Sequence, residues 1–147
     1  MKNNQKGFTL IELLAIIVIL AVIALITTPI ILNVVEESRK NAAVDKAYGV
    51  IEAVRLAYTQ NQISTDPVTG KDVICVTYGT VTTTDTNGCN STAAAKVGTT
   101  NVSISGDTPS QGVVALNTTN GSITLKKSLK FGDYNCSMSG TTVSCTK

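Results

Sequence analysis

The stretch that decides the fold is Gly7 to Leu32, GFTLIELLAIIVILAVIALITTPIIL. From Leu13 to Leu32 it runs for 20 residues without a charge, and only Thr27, Thr28 and Pro29 break the aliphatics. Coiled at about 1.5 Å per residue, such a run spans roughly 30 Å, the thickness of a bilayer core. The sequence therefore predicts a membrane helix. At its mouth stands Glu12, with no basic residue between Lys6 and Arg39 to neutralise it. A carboxylate near the centre of a membrane helix costs about 2.5 to 3.5 kcal/mol, and less near the end. An acid there with no partner in its own chain points to a partner from outside.

One source of that partner lies just upstream. The first seven residues, MKNNQKG, are polar, carry Lys2 and Lys6 without an acid, and end in a small residue directly before the apolar block. Cleavage after Gly7 would create an ammonium at Phe8, one helical turn before Glu12. A secretory signal has the reverse order, with the cut after its hydrophobic region. Here the apolar block is kept.

A short basic leader ending in Gly, then Phe-Thr-Leu-Ile-Glu, then about twenty aliphatics resembles the N-terminal signal of type IV pilins and of the pseudopilins of type II secretion and competence systems. The resemblance implies that a prepilin peptidase cleaves between Gly7 and Phe8 and that Phe8 is then N-methylated. It implies too that Glu12 pairs with the terminal amine of a neighbouring subunit during assembly. The physics agrees, since a buried acid and a buried amine are each costly alone and satisfy each other when docked. The motif covers about Lys6 to Arg39, and the long helix that usually follows extends the likeness to about residue 62. Beyond that the likeness is one of architecture.

Composition sets further bounds. The 147 residues suit one small domain and its anchor. The precursor carries a formal charge of +2, and loss of Lys2 and Lys6 with the leader leaves ten basic against ten acidic residues. No bulk attraction to nucleic acid follows. The chain has no histidine, which removes the commonest general base and metal ligand. No nucleophile and base pair and no phosphate loop stand out, so no enzyme and no cofactor are expected. The four cysteines all follow residue 74, as expected if the leader is cytoplasmic and the remainder exported.

Within the span, Pro29 lacks the N–H that would bond the Leu25 carbonyl, so a kink or local melt is expected there. Thr27 and Thr28 can return hydroxyls to freed carbonyls. A proline at this depth also recurs in the pilin family, although an ordinary kinked anchor explains it equally well. After Asn33 the apolar run becomes amphipathic with no stop signal, which predicts one helix from about Phe8 to about Gln62. Val44, Ala47, Ile51, Val54 and Tyr58, with Ala43, Val50 and Ala57 beside them, form one buried face. Tyr48 and Leu56 lie off that face.

From Ile63 the chain turns rich in Thr, Ser, Gly and Asn. Strands are predicted at Val73 to Tyr78, Gly79 to Thr84, Val102 to Ile104, Gly112 to Asn117, Ser122 to Lys127 and Thr141 to Cys145. Asn120-Gly121 reads as a hairpin turn and Ser139-Gly140 as a weaker one. Ile74, Val76 and Tyr78 should face the helix. Ala93 to Lys96 allows one helical turn or a loop. The fold class is thus α+β, a long helix with a membrane half and an amphipathic half packed on a small antiparallel sheet, pilin-like. The organisation reads as a leader at 1–7, a membrane or filament-core helix at 8–32, its amphipathic continuation at 33–62 and a β-rich domain at 63–147.

Cys75, Cys89, Cys136 and Cys145 allow three pairings, and short loops favour Cys75 with Cys89 and Cys136 with Cys145. A cysteine pair near the C-terminus also resembles the disulfide-bounded loop of many pilins. A zinc site would need close C-x-x-C pairs, which are absent. Asp85 and Asn87 before Gly88 look faintly like a cation loop that lacks its final acid. Lys126, Lys127 and Lys130 read as a solvated strand edge, with DNA or another anionic surface the less favoured partner.

The reading that unites these features is a structural subunit, stored in the cell membrane with its leader inside and its β-rich domain outside, then polymerised into an extracellular filament. Its implied partners are prepilin peptidase, other pilin subunits, the assembly platform and ATPase, and the membrane. The alternatives are a pseudopilin of type II secretion or DNA uptake, or a single-pass membrane-anchored binding module, which would need neither Glu12 nor a cut at Gly7.

Overall fold

The computed structural model describes residues 7–64, 72–79, 92–94, 96–97 and 100–147. Helix α1 runs over Leu10–Gln62. Eight strands follow: β1 (Val73–Tyr78), β2 (Thr92–Ala94), β3 (Lys96–Val97), β4 (Thr100–Asn101), β5 (Gln111–Asn117), β6 (Ile123–Phe131), β7 (Tyr134–Ser139) and β8 (Thr142–Thr146). The chain divides into two compact units between Ser38 and Arg39.

In the first unit the helix begins at Leu10, two residues later than the apolar run suggests. It continues without interruption through Pro29, so the expected local melt is absent. Thr27 Oγ1 donates to the Ile23 carbonyl at 3.0 Å and Thr28 Oγ1 to the Ala24 carbonyl at 2.7 Å. The two hydroxyls thus bond carbonyls one turn back rather than that of Leu25, over which the proline sits. All the large apolar side chains from Phe8 to Val35 are exposed. This helix is long and apolar enough to cross a membrane.

The second unit has its own core. Ala43, Ala47, Val50, Val54, Ala57 and Asn61 are buried along one face of α1 at alternating steps of four and three, with Ile51 buried beside them. Asp45 and Glu52 are exposed. Against this face pack Ile74, Val76 and Tyr78 of β1, Val114 and Leu116 of β5, Leu129 and Phe131 of β6, Cys136 of β7, and Val143 and Cys145 of β8. The alternation in β1 thus faces the helix as its pattern predicts, since residues two apart share one side of a strand. The small side chains of Ala43 and Ala47 let the helix lie close on the sheet. Cys75, Val113 and Ala115 form a second buried cluster on the opposite face, which explains why β1 and β5 read as continuous apolar runs.

The main sheet has the order β2-β1-β5-β6-β7-β8. The five strands from β1 to β8 are antiparallel, and β2 adds a parallel edge, with Cys75 opposite Thr92. β3 and β4 form a separate antiparallel pair.

Several predicted strands move. Val102 to Ile104 is not a strand, and pairing occurs at Thr100–Asn101 instead. Val102 is nonetheless buried, so its apolar pattern reflects core packing and not a ladder. Ala93 lies in a strand, neither a helical turn nor a loop. Of the run Gly79 to Thr84, Gly79 lies outside any strand and residues 80–84 lie outside the described residues. β7 was not foreseen, although Gly132-Asp133 is a two-residue hairpin signal. Phe131 pairs with Tyr134 across it, and Gly132 adopts φ 58°, which glycine reaches without a Cβ clash. The weaker-looking Ser139-Gly140 turn is equally tight, with Ser139 opposite Thr142. The loop around Asn120-Gly121 is wider, closed by the Asn117 N–H donating to the Ser122 carbonyl at 2.8 Å and by Asn117 Oδ1 accepting from the Thr119 N–H at 2.9 Å.

Candidate functional site

The N-terminal site is built from the turn that starts α1. Gly7, Phe8 and Thr9 are exposed and precede the helix. The first N–H groups of a helix have no partner within it, and a Thr-x-x-Glu sequence supplies two partners reciprocally. Thr9 is the N-cap. Its N–H and its hydroxyl both donate to Glu12 Oε2, each at 2.8 Å, and the Glu12 N–H donates to Thr9 Oγ1 at 3.3 Å. Glu12 is therefore not isolated within its chain. Charge alone does not reveal this partner, which is a hydroxyl and an amide and not a cation. The signal was present as Thr9-Leu10-Ile11-Glu12.

The arrangement does three things. It fixes where the helix begins, just after the Gly7–Phe8 bond. It aims the Glu12 carboxylate back toward the N-terminal end, where anions are favoured by the helix dipole. It leaves Phe8, 83% exposed, on the solvent side of the cap.

The other candidate residues lie in the second unit. Cys136 and Cys145 stand opposite each other on β7 and β8, are fully buried, and are joined in a disulfide. Cys75 is also disulfide-bonded, and Cys89 lies outside the described residues. The faint cation loop at Asp85 to Gly88 lies outside them too. Among the described residues no group of three or more His, Cys, Asp or Glu is placed to hold a metal ion.

The lysine cluster is not a strand edge. β6 lies between β5 and β7, and its register against β5 shifts twice, between Gln111 and Val113 and between Val113 and Val114. Burial nonetheless alternates along β6, with Lys126 and Lys130 on its exposed side and Lys127 half-buried on the other. The sheet edge in this region is β8. Tyr48, off the buried stripe of α1, reaches it: the Val143 N–H donates to Tyr48 Oη at 3.0 Å, and Tyr48 Oη donates to the Thr141 carbonyl at 3.4 Å.

Two further groups have shifted ionisation. The Lys46 ammonium, 2.6 Å from Asp107, holds the Asp107 carboxyl below the usual carboxylate range. Burial pushes the Tyr78 phenol up to about 12, and its hydroxyl has no hydrogen-bond partner among the described residues.

The model of the prokaryotic N-terminal methylation motif matches residues 2–28. These residues carry the type IV pilin and pseudopilin signature. No curated protein and no solved structure matches the chain at a significant level.

Proposed function

We propose that this chain is a structural subunit of an extracellular type IV pilus or pilus-like filament, cleaved after Gly7 by prepilin peptidase, N-methylated at Phe8 and polymerised through its N-terminal helix. The observation that carries the reading is the methylation motif over residues 2–28. It heads a helix whose large apolar side chains from Phe8 to Val35 are exposed. Two solvents suit such a helix, the bilayer and a bundle of identical helices, and the filament reading uses both in turn.

The Gly7–Phe8 bond is exposed and non-helical, as a peptidase substrate must be. After the cut, the Phe8 ammonium of one subunit replaces Thr9 as partner of Glu12 in the next. The Thr9 bonds to the carboxylate are already charge-assisted; what the ammonium adds is a full opposite charge, whose attraction in an apolar surrounding favours docking. No catalytic constellation enters this reading. The polar, disulfide-bonded domain would form the filament's outer surface, and adhesion or another task would reside there.

The test is the intact mass and N-terminal sequence of the full chain co-expressed with a prepilin peptidase, comparing wild type with Glu12→Ala. The expected result is a chain that starts at N-methylated Phe8 in both, with only wild type in sheared filaments. Retention of Met1 to Gly7, or cleavage beyond Leu32, overturns the reading in favour of a membrane-anchored binding module. Processed protein that stays in the membrane, beside a secretion or DNA-uptake system that depends on it, assigns the pseudopilin role.

A further inference from the structure

A groove of about 560 Å³ opens in the second unit between the start of its helix and the β6–β7 turn. Arg39, Ala42, Ala43 and Lys46 line one side at helical spacing, and Asp107, Lys130, Asp133 and Tyr134 are among the residues lining the other. Lys46 is paired with Asp107, so those two charges cancel. Arg39 and Lys130 remain, both exposed and without a partner among the described residues, against Asp133 alone. The groove therefore carries an excess positive charge and seeks an acid.

The filament reading, on which this inference rests, says which acid arrives. When Glu12 of one copy stands level with Phe8 of the next, the next copy is displaced by four residues, about 6 Å along a helix. Copies in one filament are identical, so a single displacement holds at every level. It brings Glu37 of the displaced copy level with Asn41, between Arg39 and Lys46. The later helix acids miss the groove, since Asp45 comes level with Gly49 and Glu52 with Leu56. Glu37 is itself exposed and has no partner among the described residues.

We infer that the groove lined by Arg39 and Lys130 is an interface between copies of this chain, and that Glu37 of the neighbouring copy docks in it. The contact sets the register of adjacent subunits at a second height, just beyond the apolar run that ends at Val35. Complementary charges at such a height select one alignment and penalise others, because like charges placed opposite oppose docking.

The test uses the full chain in cells that assemble wild-type filaments with processed Phe8. Arg39→Glu and Glu37→Lys are each expected to lower sheared filaments by about tenfold or more while leaving cleavage and methylation intact. The pair combined, Glu37→Lys with Arg39→Glu, is expected to recover most of the yield. Carbodiimide treatment of filaments mixed from isotopically light and heavy subunits should join Glu37 to Lys130 or Lys46 of a different copy. Unchanged yield in both single variants, or no recovery in the pair, overturns the inference. So does Glu37 joined only within its own chain. Binding of the detergent-solubilised wild type, but not of Arg39→Glu, to anionic vesicles, with filament yield unchanged, would assign the groove to lipid headgroups instead. Failure of wild type to form filaments strikes at the proposed function, which separates the two.

Discussion

Thr9 and Tyr78 show how single polar groups set local stability here. Thr9→Val keeps the shape of the side chain but removes the hydroxyl that donates to and accepts from Glu12. Loss of an N-cap costs about 1 kcal/mol. The expected outcome is fraying of the first turn, read as faster hydrogen exchange at the Glu12 and Leu13 amides in detergent, with exchange at Ile51 unchanged. Tyr78 is the opposite case, a buried hydroxyl with no hydrogen-bond partner among the described residues. Its phenol titrates at about 12 in the fold, against 10.0 when exposed. The folded protein therefore holds this proton more tightly than the unfolded chain. The stability it contributes is complete below pH 10 and falls as pH rises toward 12. One of the four tyrosines should lag in a titration followed by phenolate absorbance. Tyr78→Phe should remove both the lag and the alkaline loss, and should stabilise the fold by about 1 kcal/mol because no hydrogen bond is given up.

Among the elements, α1 and β8 carry the sharpest expectations. The buried stripe of α1 uses Ala43 and Ala47 where it lies on the sheet, and Ala47 is wholly buried. Ala47→Leu adds volume to a filled contact and should cost about 1 to 3 kcal/mol in thermal or denaturant unfolding. Leu56→Ala on the exposed side should leave stability within about 0.5 kcal/mol. β8 is an edge strand, held by the Cys136–Cys145 disulfide and by the Tyr48 hydroxyl on the Val143 N–H. Replacing both cysteines with serine should lower stability by about 2 to 4 kcal/mol. Tyr48→Phe should cost about 1 kcal/mol more and free an edge amide for strand pairing, seen as accelerated exchange at Val143.

What the sequence revealed about these elements followed how strong and how local each signal was. The membrane run and the buried stripe repeat over many residues, so they read clearly, and the helix ends at Gln62 as its pattern indicates. The two-residue turn at Gly132-Asp133 was a local signal too, but it lay beside a polar segment with few apolar residues, and β7 went unread. β6 misled for another reason. Its alternation is regular, but which strands flank it is decided by long-range pairing, so its lysines look like an edge when the strand is interior. Tyr48 was legible only as off the stripe, since its partner lies 95 residues away. Thr9 was legible and overlooked.

For the whole molecule, the division at Arg39 separates a helical segment whose large apolar side chains are exposed from a unit with a core of its own. Residues 39–147 contain every residue of the main hydrophobic core. Expression of residues 39–147 with oxidised cysteines should give a water-soluble, cooperatively unfolding domain, whereas the full chain should require detergent. Sedimentation and thermal unfolding check this, and aggregation of the fragment would show that the core depends on the first unit. The Lys46–Asp107 pair adds an acid limit to that domain. Lys46 holds Asp107 below its ordinary range, so the pair's contribution is present above that range and disappears as pH falls through the lower folded value.

On the proposed reading, the capping turn bears on how a filament is undone as well as made. In the solitary subunit one oxygen of Glu12, Oε2, already accepts from both the Thr9 amide and the Thr9 hydroxyl. Joining a neighbour trades one set of donors for another, so the free energy released is the difference between two satisfied states. When the joint opens, Glu12 falls back on Thr9, and the only group that loses its partner is the Phe8 ammonium at the exposed end of the chain. On the proposed reading, Thr9 gives the protein a resting state to return to, and a subunit pulled from the filament re-enters the bilayer ready for another round.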